Sequence, residues 1–291
     1  MLVKFEQYLL TEKRYSEHTI TAYLVDVQQF LSFLICDGEV DPALVRASDV
    51  RSWIVALYDG NVTRKTINRK LSSLRTYFKW LKKEGRIDLN PLTKVNGPKS
   101  EKRLPQFAKE SDLKPEKMEH VFDADFNGMR DRLMFEFFYQ TGMRLSELIG
   151  LKESDVTEET IRVLGKRNKE RLLPISSALA KQIIMYRKMK FGAGLNSITF
   201  FVLENGKNLY AKFVYRKINY YLGGVTNLDK TSPHILRHTF ATHMLNNGAG
   251  LETLKDLLGH ASLSATQVYT HNSFAQINSI YSHAHPRGRK K

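Results

Sequence analysis

From residue 1 to about residue 95, apolar side chains recur at steps of three and four rather than alternating, which is the period of amphipathic helices. Ser16 reads as an N-cap, and after it Ile20, Tyr23, Leu24, Val27, Phe30, Leu31 and Leu34 form one apolar stripe that stops at Gly38. A shorter helix is predicted to begin after Ser48, to bury Val50, Ile54 and Leu57, and to end near Gly60. The next helical stretch, 64–86, keeps its apolar spacing at Ile67, Leu71, Leu74, Phe78 and Leu81. Asn90-Pro91 closes the helical run, and the proline- and charge-containing segment 97–107 has the composition of an interdomain linker.

The pattern then changes. From residue 108 the chain mixes helices with a little sheet. A strongly apolar helix is expected over 129–140, ending at Gly142, and β-like runs at 161–165 and 171–175 flank the polar segment KRNKE as a hairpin with a longer loop. Further helices are expected at 177–191, 210–222, 233–247, 251–258 and 263–271. No repeat at solenoid spacing is present, and the only biased tract is the basic tail RGRKK. The expected architecture is mainly α with a small β-sheet: an all-α N-terminal domain, 1–96, a basic linker, 97–107, and a larger α+β domain, 108–291.

Charge narrows the partner. In 291 residues, 45 Lys and Arg stand against 30 Asp and Glu, a formal +15, which is the balance of a chain that meets a polyanion. Its distribution is more telling than its total. The stretch 64–86 holds nine basic residues, among them Arg64, Lys65, Arg69, Lys70, Arg75 and Lys79, against the single acid Glu84, so one face can pack while the other presents charge to phosphates. Lys102 and Arg103 in the linker add to that basic set. No apolar run approaches a membrane span, and the charged start argues against a signal peptide, so a soluble, cytoplasmic protein with no membrane partner is expected. The lone Cys36 excludes an intramolecular disulfide and a cysteine-built zinc site.

Three places gather residues able to do chemistry. In TGMRLSEL, Gly142 ends one helix and Arg144 opens the next, with Glu147 three residues on, on the same face, where its carboxylate can orient the guanidinium. In TSPHILRHTFATHML, Ser232 and Pro233 start a helix, which puts His234 and Arg237 one turn apart near its positive end. A metal is not expected there: no Asp or Glu lies in the stretch and Arg237 would repel a cation, while His238 and His243 are assigned to packing or hydrogen bonding. In LLGHASLSATQVYTH, Gly259 permits a sharp break before His260, and Tyr269 follows nine residues later.

These segments, with GKRNKERLLPI and the closing HAHPRG, together resemble the tyrosine recombinases, and within them the bacterial Xer branch. The HxxRH and LGHxxxxxTxxYTH patterns carry the likeness most specifically; the N-terminal match is general. The resemblance implies a SAM-like core-binding domain and a catalytic domain closing as a C-shaped clamp on double-stranded DNA. It maps the catalytic set onto Arg144, Lys166, His234, Arg237, His260 and the nucleophile Tyr269, with Glu147 in support and no cofactor. Lys166 shares its loop with Arg167 and Lys169, and the resemblance favours Lys166. It further implies a homotetramer, or a heterotetramer with a paralogous recombinase, acting on two sites through a 3′-phosphotyrosyl link and a Holliday junction. Chromosome dimer resolution at a dif-like site, in cell division and chromosome partition, is the expected role, with a DNA translocase of the FtsK type as a possible partner. An integrase of a mobile element, a relaxing topoisomerase-like activity and a non-cleaving DNA clamp are the alternatives. Segment 273–282 is expected to be donated to a neighbouring protomer, the alternative being a helix packed on its own domain.

Overall fold

The structure, a computed structural model, describes residues 1–34, 41–99, 106–165, 170–259 and 271–288. Gly38, Lys102, Arg103, Lys166, His260, Tyr269 and most of the helix expected at 263–271 lie outside them. The chain divides into two compact units, Met1–Arg103 and Leu104–Lys291.

The first unit is helical, as the apolar period predicts: α1 (Leu2–Thr11), α2 (Glu17–Leu34), α3 (Ala47–Asp59) and α4 (Arg64–Lys83). The α4 stripe Ile67, Leu71, Leu74, Phe78 and Leu81 is fully buried and meets Phe5, Val27 and Phe30 in one core. Edge-on aromatic contacts such as Phe30–Trp53, 5.1 Å between centroids, fill the spaces between helices. Helix α3 starts slightly earlier than expected, because Asp49 rather than Ser48 caps it: its carboxylate accepts from the Arg46 amide at 2.8 Å. Val50 and Trp53 are its buried residues, and Ile54 and Leu57 are only half-buried.

One expectation for α4 is corrected. Lys70, counted among phosphate-facing residues, is 7% exposed and turned inward, its Nζ donating to Asp26 at 3.0 Å and also to Gln29. Asp26, in the middle of α2 and 1% exposed, also accepts from Arg69 and from the Ser73 hydroxyl. A buried carboxylate needs such partners to stay ionised out of water, and the helical spacing of 69, 70 and 73 supplies them from one side of α4. Arg64, Lys65, Arg75 and Lys79 are exposed, although Arg75 also donates to the Val95 carbonyl at 2.9 Å.

The second unit holds α5 (Pro115–Met118), α6 (Phe126–Thr141), α7 (Leu145–Ile149), the hairpin β1 (Thr160–Leu164) and β2 (Glu170–Pro174), α8 (Ser177–Gly192), α9 (Ala211–Val225), α10 (Pro233–Asn246), α11 (Leu251–Leu258) and α12 (His271–Ala284). The antiparallel hairpin pairs Ile161 with Leu173 and Val163 with Arg171. Helix α6 is buried on all sides, from Leu133 to Thr141 without interruption, and packs against α8, α9 and α10. It is the axis of the unit, which explains a sequence apolar all round rather than striped.

Helix α12 packs on its own unit in this single chain, the alternative to donation. Ile277, Tyr281 and Ala284 join the core, and the Tyr281 hydroxyl donates to Gln140 Oε1 at 3.2 Å. Behind it His285 is wholly buried, stacked on Tyr281 with centroids 5.1 Å apart and donating from Nε2 to the Tyr139 carbonyl. Arg287 then pairs with Glu136 of α6 at 3.0 Å. None of the described helices is long and apolar enough to cross a membrane.

Candidate active site

The site is built where α6 ends. Gly142 takes a left-handed conformation, φ +62°, and a Cβ there would come within 2.5 Å of Phe240 of α10 and 2.9 Å of Leu258 of α11. Only glycine lets the chain turn this close to two helices. The turn delivers Arg144 to the N-cap of α7, where Glu147 accepts from its backbone amide at 2.7 Å and from its Nη1 at 2.8 Å. This is the orientation that the three-residue spacing predicts.

Helix α10 begins as read from TSPHIL: the Ser232 hydroxyl caps it, accepting from the Ile235 amide, and Pro233 occupies its first turn. His234 is exposed on that first turn, and Arg237, one turn on, is buried at 9% exposure. Arg237 donates from Nη1 to the Gly142 carbonyl and from Nη2 to the Leu258 carbonyl, the latter at 2.7 Å. His243 matches its structural assignment, donating from Nε2 to the Ala108 carbonyl while Nδ1 accepts from the Tyr139 hydroxyl. His238 is half-buried against Phe107, and burial, reinforced by the neighbouring His234, pushes its imidazole below the ordinary value.

The two arginines therefore meet at one place, the C-terminal end of α11. Arg144 Nη2 donates to the Gly259 carbonyl at 3.0 Å, beside the Leu258 carbonyl that Arg237 holds. A third guanidinium completes the set. Arg171 of β2, 4% exposed, donates from Nε to the Leu257 carbonyl at 2.8 Å and with both Nη atoms to Glu147 at 2.9 and 2.8 Å. Three consecutive carbonyls at the negative end of a helix are thus held by arginines from three different elements.

Sequence reasoning assigned no role to Arg171. Its signal was nonetheless present: strand alternation puts residue 171 on the same face as core residue Leu173, so an arginine there must find a buried partner.

Electrostatics follow from the inventory. Three guanidiniums stand here against one carboxylate, which pairs with Arg144 and Arg171 while Arg237 rests on backbone carbonyls, leaving an excess of two positive charges. Burial alone would raise the Glu147 carboxyl, but the hydrogen bond and charge of Arg171, followed by the backbone and side-chain hydrogen bonds of Arg144, outweigh it and hold the carboxyl at about 2. Arg237 is lowered to about 10, first by burial and then by the charges of Arg144 and Arg171. Such a cluster calls for an anion. Arg144, with about a third of its side chain exposed, keeps donors for one.

Comparison with known proteins gives the family. Residues 111–276 match the model of the phage integrase family, and residues 2–85 match that of the phage integrase N-terminal SAM-like domain. Over 293 residues the chain is 38% identical to the tyrosine recombinase XerC of Staphylococcus saprophyticus, covering 97% of this chain and 96% of that one. It is 38% identical over 303 residues to the XerC of Bacillus licheniformis, covering 99% and 97%. The fold matches that of the XerH site-specific recombinase bound to palindromic difH substrate, with a TM-score of 0.71 at 20% identity over 97% of this chain and 84% of that one. It also matches lambda integrase (75–356) bound as a dimer to a COC′ core site, with a TM-score of 0.70 at 16% identity over 90% and 94%. Full-length similarity of this order, together with two family models that cover both units, places the chain in the phage integrase family as a tyrosine recombinase.

Proposed function

We propose that this protein cuts and rejoins double-stranded DNA at a specific site, with Tyr269 as nucleophile and with Arg144 and Arg237 clamping the scissile phosphate. The observation that supports this reading best is the convergence of those two arginines, from α7 and α10, at the end of α11, directly before His260 in the sequence. Attack by the tyrosine oxygen adds negative charge to the non-bridging phosphate oxygens, and bidentate guanidiniums preset around that position stabilise it. His260 adds a hydrogen bond to the same oxygens. His234 accepts the phenolic proton, which a phenol of pKa about 10 retains at neutral pH. Lys166, on the loop between β1 and β2, gives a proton to the departing 5′-oxygen. The new P–O bond to tyrosine replaces the broken bond to the 5′-oxygen. The bond energy is conserved, and a 5′-hydroxyl of another strand reverses the step.

In this reading the helical unit, 1–96, grips the core site through Arg64, Lys65, Arg69, Arg75 and Lys79, the linker contributes Lys102 and Arg103, and 108–291 carries the chemistry. Similarity over nearly the whole chain to proteins named XerC supports a role in resolving chromosome dimers at a dif-like site. Four protomers then act on two sites, alone or with a paralogous partner, and α12 exchanges between neighbours on DNA.

The test compares wild type with Tyr269→Phe in cells. Lysates are denatured, protein-bound DNA is recovered, and its 3′ ends are sequenced. Adducts concentrated at one short, roughly palindromic locus in wild type and absent from the variant are the expected result. Background DNA alone from both proteins overturns the cleavage reading in favour of a non-cleaving clamp.

A further inference from the structure

Glu147 is the second-nearest layer of the proposed cleavage site, and its carboxylate is shared. Oε1 accepts from Arg144 Nη1 and Arg171 Nη1; Oε2 accepts from the Arg144 amide and Arg171 Nη2. If Glu147 faced Arg144 alone, the two charges would cancel and the clamp would lose much of its attraction for a phosphate. A second guanidinium on the same carboxylate keeps the orienting hydrogen bonds and leaves the Arg144 charge uncompensated.

Arg171 also reaches the other wall of the site. Its Nε holds the Leu257 carbonyl, and Gly259, at φ +61°, lies so close that a Cβ there would come within 3.1 Å of Arg171 Nη1. The backbone just before His260 is therefore seated on this guanidinium. Arg171 itself is the second residue of β2, five positions after Lys166 in the sequence. One buried side chain thus holds both the carboxylate that orients Arg144 and the helix end that leads to His260 in the sequence. Stability alone does not call for it, since a buried ion pair contributes little over an apolar side chain of similar volume.

We infer that Arg171 is a positioning residue for DNA cleavage: through Glu147 and the Leu257 carbonyl it presets Arg144 and the end of α11 around the phosphate. The inference rests on the recombinase reading above. Its test uses the full chain with Arg171→Gln and Arg171→Lys, and a nicked duplex oligonucleotide spanning the locus where wild-type adducts accumulate. At saturating DNA the Gln variant should cleave about ten- to a hundredfold more slowly, with DNA affinity within about threefold of wild type. The Lys variant, which keeps the charge without the fork, should fall between. In parallel, the Glu147 carboxyl carbon, followed by ¹³C labelling, should titrate at higher pH in the Gln variant. Wild-type cleavage by the Gln variant, or a loss that tracks its melting temperature with the Lys variant no better, overturns the inference. So does an unchanged Glu147 titration. A wild-type chain that forms no adduct counts against the recombinase reading instead, and the titration then decides the part of Arg171 by itself.

Discussion

Glu147 remains charged while almost out of water because two arginines and a backbone amide meet both its oxygens. Its folded carboxyl, held at about 2, lies below the ordinary 4.5, so it contributes stability that is present above about pH 4.5 and is lost as pH falls towards 2. On that difference the contribution at neutral pH is about 3 kcal/mol. Glu147→Gln should therefore unfold at lower denaturant concentration than wild type at pH 7, and the gap should shrink steadily as unfolding is repeated at lower pH. A gap independent of pH would show that the carboxylate is not the ionised hub described. Arg144 and Arg237 are legible as motif residues, yet what they do in the free protein is not. That Arg144 and Arg237 rest on the Gly259 and Leu258 carbonyls depends on how α11 meets α10, which no local spacing encodes.

At the scale of elements, local pattern predicted existence and type well. The apolar period located α2, α3 and α4, the cap Ser232-Pro233 located α10, and 251–258 agrees with α11. Edges moved by a residue or more where a cap came from a neighbour, as with Asp49 at the start of α3. The fate of charge was harder to read: a lysine on a basic helix looks the same whether it faces phosphate or a buried Asp26 one helix away, and Lys70 faces Asp26. Asp26→Ala should accordingly destabilise the N-terminal unit by about 3–5 kcal/mol, because the ammonium of Lys70 would be left buried without its counter-ion. Chemical denaturation of the 1–99 fragment, with Lys79→Ala on the same helix as an exposed control expected within about 0.5 kcal/mol of wild type, measures this.

Among the described residues the buried apolar side chains sort into two separate cores, one from Phe5 to Val95 and the other from Ala108 to Ala284. Each core closes on residues of its own unit, so fragments 1–99 and 106–291 should each unfold cooperatively when expressed alone, as followed by circular dichroism. A fragment that populates only a molten state would show that the units depend on each other. Within the larger core, five elements meet at the last turn of α11: Gly142 after α6, Arg144 before α7, Arg171 of β2, Arg237 of α10 and Gly259 itself. If Arg171 is lost, Glu147 keeps only Arg144 as a partner, and a Cβ at Gly259 would press within 3.1 Å of Arg171 Nη1. Descent should therefore treat Glu147, Arg171 and Gly259 as one inherited character: lineages that change one should have changed its companions, and isolated exceptions should be rare.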